Sequence, residues 1–200
     1  MTLYVVRHGR TEANAGGLLL GRADPDLDDV GRDQVVRIAD AVGPVDRVVS
    51  SPLARCRQTA EAIAGGGGVR GDGVEVEVDE RLIELDYGEF DLRPLSEIPA
   101  EVWAAWRADV DFRPPGGETL VELGARVFAV LDEVSGSATE GDVAVVTHVS
   151  PIKASLAWAL GVGMEISWRS FVAQASITRI GVTERGPSLR VFNDESHLRP

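Results

Sequence analysis

The chain is short of several things, and each shortage excludes something. Cys56 is the one cysteine, so no disulfide can form within the chain. No apolar run approaches the roughly 20 residues that a membrane-spanning helix needs. The N-terminus has no basic segment leading into a long apolar stretch, so no signal peptide is expected and a cytoplasmic location is. Positive charge is scarce, with a formal net charge of -12. That argues against nucleic acid and against anionic membranes as partners, because both reward basic surfaces. It also repels a phosphate-bearing small molecule at long range, so any phosphate site must be a local cationic pocket. Histidine is scarce too, with three in the chain, and Lys153 is the one lysine. The other basic residues are arginines, which suit bidentate contacts to oxyanions.

What is present suits one α/β domain over residues 1–200, since 44% hydrophobic residues can supply a sizeable core. Three short apolar stretches read as strands, each followed by a turn and a helix: Leu3 to Val6, Asp46 to Ser50 and Asp142 to Thr147. Ser51-Pro52 and Ser150-Pro151 read as helix starts, with Ser as N-cap and Pro in the first turn. Continuous apolar strands alternating with helices predict a mostly parallel sheet covered on both faces, a three-layer αβα sandwich.

Asp28 or Asp29 can cap a helix running to about Val42. Leu53, Cys56, Ala60 and Ile63 form the apolar stripe of the next helix, which ends at the glycines 65–68. Val74, Val76 and Val78 alternate like a strand. Ile98 to Val110 and Leu120 to Val134 read as helical, and Ser170 to Phe192 as two strands around a turn at Arg185 to Pro187. The section at about 90–118 is the expected insertion over an active site, and Trp103, Trp106 and Trp158 read as core or cap packing.

Ligands of open parallel sheets bind at the carboxyl ends of the strands. Those ends carry Arg7-His8, then Arg55 and Arg57 on the helix that follows the second strand, then His148. Two of three histidines at matching strand ends beside arginines are hard to read as incidental. The helix starts at Ser51 and Ser150 would add backbone N–H donors for an oxyanion. Helical geometry sets Arg55 and Arg57 about 200° apart, so both can hardly face one pocket, and Arg57 lies nearer the apolar stripe.

Four stretches resemble the histidine phosphatase superfamily, also called phosphoglycerate mutase-like. They are LYVVRHGRTEAN from Leu3, SSPLARCRQTA from Ser50, RLIELDYGEFD from Arg81 and VVTHVSPIK from Val145. They appear in the family's order and span nearly the whole chain. The resemblance implies His8 as nucleophile through a phosphohistidine, Glu84 as general acid with Asp86 as its rival, and His148 as a stabiliser of the transferring phosphoryl group. It implies Arg7, Asn14 and Arg55 as phosphate ligands, and it chooses Arg55 over Arg57. No metal and no cofactor are implied.

Arg10, Thr11, Arg22 and Val149 are assigned to the substrate rim. Arg10 stands where the family commonly has an acidic or amide residue, so a more cationic rim is expected. Val149 follows His148 where the family often has Gly, so a different turn is expected, because a β-branched residue does not easily take φ > 0. His197 resembles a tail motif but reads as surface or packing. Gly116 to Glu118 resemble a loop before the family's late helix, with Glu118 or Thr119 as its cap.

Three other patterns fail their context. Gly66 to Gly71 match GxGxxG but follow a helix rather than a strand. Asp26 to Asp28 form a DxD with no apolar strand before it. Cys56 has Ala62, not arginine, six residues on. The expected function is hydrolysis of small-molecule phosphomonoesters, of the histidine acid phosphatase type and independent of metal. The runner-up is phosphoglycerate mutase-like transfer, and a third reading is a non-catalytic phosphate-ester binding protein. A monomer and a homodimer are both left open.

Overall fold

A computed structural model describes residues 1–66, 74–136 and 141–199. The glycine-rich 67–73 segment, which holds most of the GxGxxG match, lies outside the described residues.

Six strands form one sheet in the order β3-β2-β4-β1-β5-β6. They are β1 (Thr2–Arg7), β2 (Arg47–Ser50), β3 (Val76–Val78), β4 (Val143–Thr147), β5 (Ile177–Thr183) and β6 (Gly186–Asp194). The pairs β3–β2, β2–β4 and β4–β1 are parallel, while β1–β5 and β5–β6 are antiparallel. The parallel strands are apolar on both sides because both faces are covered. Val6, Val48, Ala144 and Val146 face one way, with Val35, Ile38, Cys56 and Ile63 packed on them. Leu3, Val5, Val49, Val143 and Val145 face the other, under Leu123, Val127, Leu131 and Ile152. The helices that supply these residues are α2 (Asp29–Val42) and α3 (Ala54–Gly65) on the first face, and α5 (Leu120–Gly136) and α6 (Val149–Leu160) on the second. The mostly parallel αβα arrangement is the one read from the sequence.

Two shorter α-helices also lie among the described residues: α1 (Glu12–Ala15) and α4 (Ala100–Ala108). Asp28 caps α2, its carboxylate accepting from the Gly31 N–H at 2.7 Å. Thr119 caps α5, accepting from the Glu122 N–H and donating its own N–H back to the Glu122 carboxylate.

The starts of α3 and α6 differ from the expectation. α3 begins at Ala54 after Leu53, with no side-chain cap from Ser51, and α6 begins at Val149 with His148 as its N-cap. Ser51 and Ser150 are drawn instead into contacts with His148 and Tyr87. Val149 is thus the first helical residue and has no positive φ, which removes the difficulty of a β-branched residue at that turn.

The loop after β1 lies against α2 at very short range. A Cβ on Gly31 would meet the Arg10 carbonyl oxygen at 2.1 Å, and one on Gly9 would meet the Gly31 oxygen at 2.7 Å. Only glycine at these two places lets the strand-end loop and the helix approach so closely.

Candidate active site

Strands β1 and β4 pair in parallel with Arg7 opposite Thr147, so the next residue on each, His8 and His148, must emerge side by side. Their rings sit 5.1 Å apart, centroid to centroid, at an interplanar angle of 63°. From α3, which packs against β4, Arg55 reaches the same point and donates Nε–H to His8 Nε2 at 3.3 Å. The exposures are 3% for His8, 2% for Glu84 and 0% for both Arg55 and His148. Titratable groups this deep are almost never found without partners, so a cluster of them marks a built site.

Each member is held from behind. His8 Nδ1 donates to the Gly9 carbonyl at 2.7 Å, which fixes the neutral tautomer and leaves a lone pair on Nε2. Burial, with Arg55 and Arg7 beside it, holds His8 well below the ordinary imidazole range. Arg55 donates Nη1–H to the Ala23 carbonyl and Nη2–H to the Gly21 carbonyl, each at 2.7 Å, so both outer nitrogens are fixed by the loop after α1. Arg57, on the opposite side of the helix, is exposed.

Arg7 donates Nη1–H to the Val172 carbonyl at 2.9 Å, but its buried Nε has no protein partner. Burial lowers its pKa to about 10, and it remains a cation at neutral pH. Asn14 accepts the Thr11 N–H at 3.2 Å in a capping box on α1, so its oxygen is occupied from within while its residue lines the cavity. His148 shares a 2.7 Å hydrogen bond with Ser51 Oγ and touches Cys56 Sγ at 3.4 Å. Burial and the arginines push His148 below the usual range as well.

Glu84 sits against the start of α6. Its Oε1 accepts N–H bonds from Leu85 at 2.7 Å and Ser150 at 3.1 Å, and Oε2 accepts from Val149 at 3.1 Å. Burial raises its pKa, and these donors and Arg55 only partly oppose that. Arg7, His8, Asn14, Glu84 and Val149 line one cavity of about 170 Å³.

The helix N-termini do not serve an outside anion as expected. Glu84 already takes the first N–H groups of α6, and Asp24 accepts the Ala54 N–H of α3 at 2.7 Å. An acid of the chain itself has filled each positive helix end. Among the cavity-lining residues, Arg7 and Asn14 offer side-chain donors to a phosphate.

The rim residues are scattered. Val149 lines the cavity, and Thr11 is buried beneath α1 as its cap. Arg10 turns away and pairs with buried Asp28 at 2.7 Å. Arg22 pairs with Asp86 at 3.2 Å and Glu118 at 3.4 Å. Asp86, the rival acid, is thus engaged outside the cavity lining, whereas Glu84 is inside it. His197 Nε2 donates to the Ala175 carbonyl at 3.0 Å, and His197 does not line the cavity.

Sequence reasoning missed Arg126. From α5 it donates to the carbonyls of Ile83 at 2.7 Å and Glu84 at 3.2 Å, and it pairs with Glu118 at 2.7 Å. It therefore fixes the backbone that presents Glu84. Its partners are mostly carbonyl oxygens, which carry no residue identity, so no spacing could have revealed it.

The family model for the histidine phosphatase superfamily (branch 1) matches residues 3–195. The chain belongs to that superfamily. It is 32% identical over 203 residues to the bifunctional protein Rv2228c of Mycobacterium tuberculosis, covering 98% of this chain and 54% of that protein. The chain thus spans about half the length of the first curated relatives it matches. It is 31% identical to phosphoserine phosphatase 1 of Hydrogenobacter thermophilus, covering 98% of this chain and 93% of that one. A solved structure of mycobacterial glucosyl-3-phosphoglycerate phosphatase Rv2419c with VO3 superposes with a TM-score of 0.87 at 29% identity, covering 97% of this chain and 99% of that one.

Proposed function

We propose that this chain hydrolyses small-molecule phosphomonoesters through a phosphohistidine at His8. The observation that carries this reading is the buried, neutral His8 whose Nε2 lone pair faces the guanidinium of Arg55. Relatives that are phosphatases of phosphoserine and of glucosyl-3-phosphoglycerate support the same reaction class.

The steps follow from the groups present. His8 Nε2 attacks phosphorus, the P–N bond forms, and the P–O bond to the alcohol breaks. Glu84 gives its proton to the leaving oxygen, which its raised pKa suits it to do. The resulting carboxylate then takes a proton from water as that water attacks phosphorus and the P–N bond breaks. Arg7 and Asn14 line the cavity beside the equatorial oxygens, where charge accumulates, and buried Arg55 and His148 stand behind His8 to stabilise that charge. Arg7 has an unpaired buried Nε to offer, and the guanidiniums supply the positive charge that a metal would otherwise bring.

Phosphate release from a panel of metabolite phosphates and a generic aryl phosphate, with a chelator present, tests this. Turnover that persists with the chelator and disappears in His8→Ala supports it. Phosphate binding without any release from any ester contradicts it.

A further inference from the structure

A second cavity, of about 250 Å³, adjoins the first and shares Leu19, Tyr87, Leu95 and Val149 with it. A group leaving from phosphorus in the small cavity has this space to occupy. Its far wall is aromatic: Trp103 and Trp106 of α4 stack at 5.7 Å and 16°, and Trp168 stands edge-on to both. An apolar cavity of about 150 Å³ suffices for benzene, so this one admits a substituted ring or a small bicycle. Apolar walls with a few placed polar groups are what small-molecule sites look like.

The placed group here is Lys153, the only lysine of the chain. It rises from α6 into the wall, and its ammonium lies 6.0 Å from the Trp168 ring centre. Burial lowers its pKa. Among the described residues it makes no ion pair. The charges that act on it are Glu84, whose carboxylate is turned to the backbone of α6, and Arg7, which repels it. The Trp168 face attracts this half-buried cation, but no anion among the described residues neutralises its charge. The unpartnered indole N–H groups of Trp106 and Trp168, buried in this wall, add donors, and the unpartnered Ser167 hydroxyl can donate as well.

We propose that the second cavity binds the leaving group of the substrate, and that this group is a ring-bearing alcohol with one carboxylate held by Lys153. One ammonium neutralises one charge, which favours a carboxylate over a second phosphoryl group. The ring packs against Trp103 and Trp168, the partly exposed indoles of this wall, with buried Trp106 behind Trp103. The proposal rests on the phosphatase reading for the place of the phosphoryl group, but it can fail separately.

Calorimetry with benzylphosphonate and para-carboxybenzylphosphonate reads the cavity without turnover, because a methylene replaces the ester oxygen. The wild-type protein should bind the carboxylated probe about tenfold more tightly, a difference of about 1.4 kcal/mol. The preference should vanish in Lys153→Met and persist in Lys153→Arg. Ethylphosphonate should bind more weakly than benzylphosphonate, and Trp103→Ala should narrow that gap. Equal affinity of the wild-type protein for the two benzyl probes, or a preference that survives in Lys153→Met, overturns the proposal. If the esters are hydrolysed but the probes show no preference, this proposal fails alone. If the preference is present but no ester is hydrolysed, the phosphatase reading fails alone.

Discussion

Arg55 Nε and His8 Nε2 face each other across 3.3 Å, the guanidinium donating to the lone pair of the imidazole. An incoming phosphoryl group would enter between them, taking the lone pair at phosphorus and the N–H at oxygen. Arg55→Lys keeps the charge but loses the fork that bonds Gly21 and Ala23. We predict a loss in kcat of about a hundredfold or more, the usual cost of one oxyanion donor. Steady-state kinetics on an aryl phosphate measure it. A variant with wild-type kcat would remove Arg55 from the reaction.

The pH profile follows from two opposite shifts. Burial keeps His8 neutral well below the usual imidazole range, so the nucleophile is ready even in mild acid. Burial raises Glu84, so it holds a proton at pH values where ordinary carboxyls have lost theirs. Activity should therefore be highest on the acid side and fall as rising pH deprotonates Glu84. Glu84→Gln should abolish that alkaline fall and lower kcat about a hundredfold or more for alkyl esters. Aryl esters with acidic leaving groups should suffer less, since their oxygen needs no proton. An unchanged alkaline limb in Glu84→Gln would assign the acid role elsewhere.

The same burial makes stability depend on pH. His8 and His148 have lowered pKa values in the folded chain, so below about 6.5 the unfolded chain binds protons that the folded chain refuses. Stability contributed by each is present above that pH and is lost as pH falls towards the folded value. Each should cost about 1.4 kcal/mol per pH unit through that range. Urea unfolding between neutral and mildly acid pH should show a shallower decline in His148→Gln than in the wild-type chain. Identical declines would mean that His148 is not buried neutral.

Arg126 is a positioning residue, acting through the backbone of Ile83 and Glu84. Arg126→Met should lower kcat by about tenfold to a hundredfold through misplacement of the acid, with KM little changed. Its alkaline limb should move, a readout that general loosening would not shift. Stopped activity with an unmoved limb would mean that Arg126 only braces the fold.

Much of this site was legible in the chain, but unevenly. His8 and His148 could be paired because strand ends in a parallel sheet converge, and β1 and β4 do lie side by side. Arg55 could not be chosen from periodicity. It is fully buried although it stands farther than Arg57 from the apolar stripe, and its compensation comes from carbonyls of Gly21 and Ala23, over thirty residues away in sequence. The resemblance to the family supplied that choice. Ser51 and Ser150 looked like N-caps, a local preference that tertiary contacts with His148 and Tyr87 overrode. Arg10 looked like part of the rim because it stands where the family commonly has an acidic or amide residue, yet Asp28 draws it to the start of α2. The open helix ends were misread for the same reason: Asp24 and Glu84 are remote in sequence and fill them.

The central claim is a phosphoryl group carried on His8. Rapid mixing with an aryl phosphate, an alkaline quench and mass analysis of the peptide containing His8 test it most directly. The account predicts one added phosphoryl group on His8, lost on acid treatment and absent in His8→Ala. Turnover with no such adduct at any mixing time, or an adduct on another residue, would contradict it.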